Sequence, residues 1–216
     1  MRARLEHRAA EGALFFRHWL RHPLGIGAML PSSLAVARAM ACDLPLDRPG
    51  AVLELGGGTG VVTLGLLEAG CPPERLIVLE RETALAAVLR RRFARVHTIE
   101  GDARDIETIL EQRNVTRLAA VVSSLPIKWF PIADQRAVVA PCFALLGEGG
   151  ALLQLTNALV SPLDRDALDL EGAETARIWT QFPPVQLWRY WRAARLAASR
   201  DKARLSARVH RTPIAP

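Results

Sequence analysis

A glycine-rich turn, in the stretch "VLELGGGTG" at positions 52–60, is the part of this sequence whose residue types point most directly to chemistry. An apolar run typical of a buried strand leads into four glycines, Gly56, Gly57, Gly58 and Gly60. Glycines permit a tight turn there and let the backbone approach a bound ligand closely. The spacing is E-x-G-x-G-x-G, which leaves Glu54 on the strand itself. Because a carboxylate repels a pyrophosphate and attracts a cation, we expect a cationic ligand in this pocket.

Two further carboxylates follow at spacings that suit an adenosyl ligand. Glu80 ends the next apolar run, about 20 residues beyond the turn, where such folds place the group that binds ribose hydroxyls. Asp102, in "EGDA", follows the run after that and can accept from an adenine amino group. S-adenosylmethionine joins an adenosine to a sulfonium and an ammonium, so we predict it as the cofactor. The predicted cofactor-binding residues are Glu54, Gly56, Gly58, Thr59, Gly60, Glu80, Asp102, Ala103 and Ser123.

The order of the elements indicates how these residues are brought together. From about residue 51, short apolar runs alternate with helical patterns, which predicts a mostly parallel sheet with helices on both faces. The last helical pattern, "IADQRAVVAPCFALLGEGG", is expected to end in its glycines. The stretch "ARIWTQFPPVQLWRYWR" predicts an antiparallel hairpin at the sheet edge. We predict a Rossmann-like α/β domain with a seven-stranded sheet over residues 48–192, N-terminal helices in 1–47, and a basic tail in 193–216.

The N-terminal region predicts two helices. In the first, apolar residues including Leu5, Phe16 and Trp19 recur at helical spacing, which gives the helix one apolar face. We predict that it lies on an anionic membrane surface through Phe15, Phe16, Arg17, Trp19, Leu20 and Arg21. Packing of this helix on its own domain is an open alternative, and a helix that is both lid and anchor would combine the two. The second helix follows "LPSS", where Ser32 and Ser33 either cap the helix or bind a phosphate.

Composition limits the classes of protein that the chain can represent. With 216 residues, 50% of them hydrophobic and 23% charged, it is expected to form one globular domain. No run reaches the roughly 18 apolar residues that would span a bilayer, and the charges in "MRARLEHRAAEG" argue against a signal peptide. We therefore expect a cytoplasmic protein. The three cysteines are widely spaced, which predicts neither disulfides nor a metal site. A net charge of +6 favours an anionic partner.

The same motifs resemble those of a known enzyme family. The glycine turn, Glu80 and "EGDA" are similar to the class I S-adenosylmethionine-dependent methyltransferases. More narrowly, "GAMLPSSLAVARAMA", "VLELGGGTGVVT", "VVSSLPIKWFP" and "PPVQLWRY" resemble the bacterial phospholipid N-methyltransferases, which are related to the rRNA adenine dimethylases. The resemblance implies stepwise N-methylation of phosphatidylethanolamine, through its mono- and dimethylated forms, to phosphatidylcholine. It also implies an enzyme that associates peripherally with the inner leaflet of the membrane.

The loop after the fourth strand is where this fold meets its acceptor. Base amino-methyltransferases place Asn or Asp, Pro, Pro and an aromatic there, whereas "SSLP" at 123–126 lacks both the carboxamide and the adjacent aromatic. A lipid amine must lose a proton before it attacks, because its pKa is about 10, and aromatic rings can hold the methylated cation. We predict Ser123 and Tyr190 as catalytic, since their hydroxyls can accept from the amine, orient it or relay its proton. The predicted substrate-binding residues are Ser32, Ser33, Leu125, Pro126, Trp129, Phe130, Trp188 and Tyr190.

Several alternatives stay open at this point. An adenine N6-methyltransferase acting on RNA is one, and a methyltransferase fold kept only for membrane or partner binding is another. The hairpin aromatics are also explained as core residues of an edge strand, and Arg189 and Arg192 are alternative partners for a lipid phosphate. We expect a phospholipid substrate and an anionic membrane surface as partners, and neither nucleic acid nor a metal.

Overall fold

The computed structural model describes residues 34–179 and 184–192. The predicted amphipathic helix with its membrane residues, the two serines Ser32 and Ser33, and the basic tail lie outside these ranges. The second predicted helix is present as α1, Leu34–Cys42. Within the two described ranges, no helix is long and apolar enough to cross a membrane.

A mixed sheet forms the centre of the described structure. Its strands are β1 (Ala51–Leu55), β2 (Leu76–Glu80), β3 (His97–Glu100), β4 (Leu118–Ser123), β5 (Leu146–Thr156), β6 (Leu170–Ile178) and β7 (Val185–Arg192). They form one seven-stranded sheet in the order β3-β2-β1-β4-β5-β7-β6. The first five strands pair in parallel, and β7 runs antiparallel to β5 and β6. The predicted fold, a mostly parallel sheet with an antiparallel edge hairpin, is confirmed.

Helices cover both faces of this sheet. They are α1, then α2 (Val61–Glu68), α3 (Thr83–Arg92), α4 (Ile106–Gln112), α5 (Ile132–Leu145) and the single turn α6 (Arg165–Leu168). One core is formed by the face that packs against α1, α2 and α3, and a second by the face that packs against α4 and α5. Neighbouring strand residues face opposite cores, so that Val52 belongs to the first and Leu53 to the second.

The boundary between α5 and β5 differs from the prediction. The helix ends at Leu145, and the glycine-rich segment after it lies within β5. Leu146 pairs with Leu118, but Ala120 pairs with Ala151, so the ladder shifts register there. The intervening glycine-rich residues are accommodated as an irregularity of the strand, and they do not form the expected helix stop.

The carboxyl ends of the five parallel strands meet at one edge of the sheet, here called the carboxyl edge. The segments after β1, β2, β3, β4 and β5 therefore leave the sheet on this side. Strand β7 starts at the same edge, because Gln186 pairs with Thr156 at the end of β5. Ligands of open α/β sheets bind outside the carboxyl ends of the strands, so the carboxyl edge is the expected place for a functional site.

Candidate active site

The glycine turn is fixed against β2 by backbone and side-chain hydrogen bonds. Gly56 N–H donates to the Leu79 carbonyl at 2.8 Å. Gly58 has a φ of +54°, and a Cβ there would meet nothing within 4 Å, so its backbone faces open space. Its N–H donates to Oε2 of Glu80 at 2.8 Å, and Oε1 of Glu80 accepts from Glu82 N–H at 2.8 Å. Each carboxylate oxygen keeps a lone pair that can accept from a hydroxyl, as the predicted ribose contact requires.

Glu54, on β1, is a buried carboxyl group with an unsatisfied oxygen. It is 1% exposed, and its Oε2 accepts from the Thr63 hydroxyl at 2.7 Å. Its Oε1 has no hydrogen-bond partner among the described residues. Burial raises the pKa of Glu54 to about 8, although the hydrogen bond from Thr63 acts in the opposite direction. Because a nearby cation would favour the ionised form, the orphaned oxygen fits a cofactor that carries a sulfonium and an ammonium.

Asp102 lies directly after β3, at the predicted edge, but its carboxylate is already engaged. Arg104 donates to Oδ1 at 2.9 Å through Nε and to Oδ2 at 2.6 Å through a terminal nitrogen. Burial alone would raise the pKa of Asp102, but the hydrogen bonds from Arg104 outweigh it and the pKa is lowered. Arg104 also pairs with Asp134 at 3.4 Å. An adenine amino group would thus share an ionised carboxylate with Arg104, a residue that the sequence reasoning missed.

Three further predicted cofactor residues, Thr59, Gly60 and Ala103, occupy the turns that follow β1 and β3. Thr59 is exposed, and its carbonyl accepts from Arg92 at 3.0 Å. Gly60 precedes the first residue of α2 and has a φ of +82°. Ala103 is buried in the short turn after Asp102. The turn thus offers backbone groups and Thr59 toward solvent, while Ala103 belongs to the core.

The acceptor loop, residues 124–131, is in direct contact with the glycine turn. The Ser124 hydroxyl donates to the Gly56 carbonyl at 2.7 Å, and the Ser124 N–H donates to the Leu55 carbonyl at 3.0 Å. A Cβ on Gly56 would lie 3.1 Å from Cδ2 of Leu125. A side chain at position 56 would require the Leu125 side chain to shift slightly and would be strained at a φ of +83°, so glycine is favoured where the cofactor turn meets the acceptor loop.

Gln154, on β5, is a buried amide that the sequence reasoning missed. It is 1% exposed and pairs with Ser123 of β4, which is also buried. Its Nε2 donates to the carbonyls of Leu125 at 2.9 Å and Leu155 at 2.7 Å, which fixes the orientation of the amide. Its Oε1 has no partner in the described parts of the chain. The signal in the sequence was one glutamine inside the apolar run "ALLQLTN".

A second missed glutamine, Gln135 on α5, ties the acceptor loop to the segment after β5. Its Nε2 donates to the Phe130 carbonyl at 3.1 Å, and its Oε1 accepts from Asp164 N–H at 3.2 Å. The side chain is buried between the two segments. Gln135 therefore holds two loops of the carboxyl edge in a fixed relation.

The predicted substrate-binding residues are not all at the surface. Trp129 and Pro126 are exposed, and Nζ of Lys128 lies 5.4 Å from the Trp129 ring centroid. Leu125 and Phe130 are half-buried and pack against the core under α5. Trp188 is also half-buried, and its indole N–H donates to Oε1 of Gln186 at 3.2 Å.

Tyr190, predicted as a catalytic and substrate-binding residue, lies in the core of the described structure. The side chain is fully buried and pairs with Leu152, in the interior of β5 and away from the carboxyl edge. Its hydroxyl lies 2.8 Å from Oγ of Ser161, and its ring stacks on Trp188 with centroids 6.2 Å apart. Burial raises the pKa of Tyr190 to about 12. A buried, hydrogen-bonded phenol is a core residue, which was the alternative explanation for this aromatic.

The alternative phosphate partner Arg189 is likewise engaged elsewhere. One terminal nitrogen donates to the Asp43 carbonyl at 3.2 Å and lies 3.7 Å from the Asp43 carboxylate.

Across residues 34–179 and 184–192, no group of His, Cys, Asp or Glu side chains is arranged to hold a metal ion.

Comparison with known proteins relates the chain to methyltransferases. A family described as a methyltransferase domain matches residues 52–150. The ornithine lipid N-methyltransferase of Singulisphaera acidiphila is 36% identical over 147 residues, which cover 67% of this chain and 77% of that relative. A ribosomal RNA small subunit methyltransferase A of Synechococcus is 35% identical over 91 residues, but these cover only 41% of this chain and 29% of that protein.

The fold is shared with solved methyltransferases. A TehB-like SAM-dependent methyltransferase from Corynebacterium glutamicum superposes with a TM-score of 0.51 at 14% identity, over 87% of this chain and 100% of that one. The sheet order and the acidic glycine turn at its carboxyl edge define a class I methyltransferase, and S-adenosylmethionine is its cofactor. At the identity and coverage given above, the chain belongs to the bacterial lipid N-methyltransferase family.

Proposed function

We propose that this chain N-methylates the amino head group of a membrane phospholipid, with phosphatidylethanolamine and its mono- and dimethylated forms as acceptors and phosphatidylcholine as the end product. The observation that carries the proposal is the acceptor loop. It is hydrogen-bonded to the glycine turn through Ser124 and presents Pro126 and Trp129 to solvent. The resemblance of "VVSSLPIKWFP" to the phospholipid N-methyltransferases, and a relative whose name places methylation on a lipid nitrogen, support the same acceptor class.

The residues on the cofactor side bind and orient the methyl donor. S-adenosylmethionine supplies an activated methyl group on its sulfonium. The Glu54 carboxyl group would face its positive charge, Glu80 would accept from its ribose, and the backbone at Gly58 leaves room for its close approach. These three contributions fix where the donor lies, so the acceptor needs only to be aligned with it.

Two buried oxygens on the acceptor side are suited to hold an amine. Oε1 of Gln154 has no partner within the described ranges, and Oγ of Ser123 accepts only a long hydrogen bond, 3.4 Å from Leu125 N–H. Both are neutral acceptors, so they stabilise the protonated ammonium less strongly than a carboxylate would. The lipid ammonium, with a pKa of about 10, must release a proton before attack. Water at the open carboxyl edge takes that proton, and no dedicated base is required.

Trp129 supplies the aromatic face that a methylated head group requires. Its ring is exposed at the acceptor loop, and cation–π contacts stabilise a quaternary ammonium by about 0.5–2 kcal/mol. The predicted N-terminal helix, with Phe16 and Trp19 on its apolar face, would hold the enzyme on the inner leaflet as a peripheral protein.

An ornithine-containing lipid is a second candidate acceptor. The observation that favours it is the 36% identity with the ornithine lipid N-methyltransferase of Singulisphaera acidiphila. Ornithine differs from phosphoethanolamine in carrying a carboxyl group and no phosphate. The two head groups therefore present their amines beside different anions, and a direct competition separates them.

The test is methyl transfer from radiolabelled S-adenosylmethionine, offered in parallel to phosphatidylethanolamine vesicles, ornithine lipid vesicles and unmodified rRNA. We expect label in phosphatidylethanolamine and its methylated products. Label confined to ornithine lipid would mean that the acceptor is an ornithine lipid and that the reaction is still lipid N-methylation. Label in rRNA would overturn the proposal. A Glu80→Ala variant is the control with weakened cofactor binding, and Glu82→Ala, two residues further on, is its matched partner.

A further inference from the structure

Exposed large apolar side chains are concentrated at the carboxyl edge. In the described part of the chain, these side chains are Val88, Trp129, Ile132, Leu159, Val160, Trp179 and Trp191. Five of them follow the carboxyl ends of β4, β5 and β6, and we call these five the apolar rim: Trp129, Ile132, Leu159, Val160 and Trp179. Each is between 41% and 80% exposed. A cluster of this kind around a site marks an interaction surface more often than scattered exposure does.

Sheet pairing places Trp179 on the same edge as the other rim residues. Trp179 directly follows Ile178, which pairs with Val185 at the start of β7. The next residue of β7, Gln186, pairs with the last residue of β5. The rim therefore spans the segments that follow three strands of the sheet, on the side where the acceptor loop lies.

The rim stands on loops that are fixed by polar contacts. Gln135 joins the acceptor loop to Asp164 in the segment after β5. In that segment Ser161 donates to the Leu163 carbonyl at 2.8 Å, and Leu163 itself is buried in the core. Leu159 thus protrudes from a segment whose neighbours are anchored.

Cations accompany the two exposed tryptophans of the rim. Nζ of Lys128 lies 5.4 Å from the ring centroid of Trp129, and Cζ of Arg177 lies 5.7 Å from that of Trp179. Arg177 also forms an ion pair with Glu174, with a nitrogen–oxygen distance of 2.8 Å. Tryptophan beside a basic residue is the combination found where proteins meet lipid head groups, and anionic lipids attract a cation such as Lys128.

From this juxtaposition we propose that the apolar rim inserts into the head-group layer of an anionic bilayer and seats the carboxyl edge on the membrane. The proposal rests on the proposed function, because it names how the same site reaches a lipid amine. It goes beyond the N-terminal helix, since it assigns a second membrane contact to the loops of the catalytic domain. A lipid amine then reaches the acceptor loop while its acyl chains remain in the bilayer.

Vesicle binding of the full-length chain tests the rim without any catalysis. The vesicles contain phosphatidylcholine and phosphatidylglycerol, hence no amine that can be methylated, and no cofactor is added. The double change Leu159→Ser and Val160→Ser should weaken binding roughly tenfold, because it removes apolar groups that would be buried in lipid. The matched controls are Val88→Ser on α3 and Trp191→Ala on β7, and both should bind as the unaltered chain does.

Quenching by brominated lipids gives a second readout that does not depend on affinity. Trp129→Phe and Trp179→Phe keep an apolar ring, so binding should persist while part of the quenchable fluorescence is lost. Trp191→Phe should lower the total fluorescence but leave the amount of quenchable fluorescence unchanged, because Trp191 pairs with Glu171 at the far end of the hairpin.

The outcomes separate the rim from the proposed function. Unchanged vesicle binding of the double variant would overturn the membrane role of the rim. That role would also be overturned if light scattering showed that the unaltered chain is an oligomer and the rim variants are not. Methyl transfer to a short-chain phosphatidylethanolamine below its micellar concentration should be the same in the Leu159→Ser and Val160→Ser double variant as in the unaltered chain. Vesicle binding without any lipid methylation would overturn the proposed function and leave the rim standing.

Discussion

The cofactor side of the carboxyl edge, at β1 and β2, and the acceptor side, at β4 and β5, are built from different chemical groups. On the cofactor side the polar side chains are carboxyl groups, and Glu54 has a buried oxygen without a partner in the described structure. On the acceptor side they are a hydroxyl and an amide, and the orphaned oxygen there belongs to Gln154. Both sides meet where Leu125 approaches Gly56.

The difference indicates how charge is divided between the two substrates. In the proposed complex, titratable carboxyl groups would face the sulfonium of the cofactor, whose charge does not change with pH. On the proposed acceptor side, neutral groups would face an amine that must lose its proton, and an amide oxygen does not hold that proton as tightly as a carboxylate would. We therefore expect pH to act on the cofactor side through Glu54 and on the acceptor side through the lipid amine itself.

The largest expected effect is on the pH dependence of stability. The pKa of Glu54 in the folded protein is about 8, against an ordinary value of 4.5, so the folded chain keeps a proton that the unfolded chain releases. Stability should therefore fall as pH rises from about 4.5 to about 8, by at most about 1.4 kcal/mol per pH unit. Glu54→Gln should remove this decline, as measured by denaturant unfolding of the cofactor-free protein at a series of pH values.

The control for this experiment is Glu68→Gln, which changes an exposed carboxyl group on α2. That variant should keep the decline of the unaltered chain. If Glu54→Gln and the unaltered chain lose stability in parallel between those pH values, Glu54 is ionised in the folded protein and the contrast between the two sides is weaker than described.

Removal of the carboxylate that holds the glycine turn is expected to have the next largest effect. Glu80→Ala deletes the acceptor of the Gly58 N–H and the predicted acceptor of the ribose hydroxyls. Hydrogen bonds to a charged group contribute about 1.5–3 kcal/mol each, so the affinity for S-adenosylmethionine should fall roughly a hundredfold. Calorimetric titration measures this, and Glu82→Ala, whose side chain is not used at the turn, should bind normally. Equal affinities of the two variants would remove Glu80 from the pocket.

On the acceptor side, Gln154→Leu should lower kcat/KM for the lipid while the affinity for S-adenosylmethionine stays the same. The change removes the orphaned Oε1 and the hydrogen bond to the Leu125 carbonyl, and a loss of about 2 kcal/mol corresponds to roughly thirtyfold in rate. Gln186→Leu, on the neighbouring strand, also removes a buried amide with a hydrogen bond. It should reduce stability without the selective loss of rate, and similar kinetics in both variants would show that Gln154 is only structural.

The two sides also differed in how well the sequence predicted them. The cofactor side depends on a short contiguous turn and on residues at the ends of strands, and these features follow from spacing alone. Gln154 acquires its position from pairing with Ser123, more than 30 residues earlier, and from the loop carbonyl that its amide binds. Arg104 lies only two residues from Asp102, but its additional ion pair with Asp134 depends on how α5 packs. Long-range pairing of this kind leaves no local pattern in the sequence.

A smaller effect is expected from the predicted membrane helix. Deleting residues 1–22 should weaken binding to anionic vesicles, because it removes an apolar helix face together with arginines. If the apolar rim contributes in parallel, the loss should be partial, roughly tenfold or less, and should add to that of the Leu159→Ser and Val160→Ser double variant. Sedimentation with vesicles measures both, and an unaltered lipid affinity after the deletion would exclude the helix as an anchor.

The smallest effect should come from Tyr190→Phe, although the sequence predicted this residue as catalytic. The hydroxyl contacts Ser161 inside the core, so its removal should cost about 1 kcal/mol of stability. Methyl transfer to the lipid should stay within about twofold of the unaltered rate across neutral pH, since a phenol with a pKa near 12 does not exchange its proton there. A large loss of rate with normal stability would mean that Tyr190 reaches the amine after all, and that β7 moves when lipid binds.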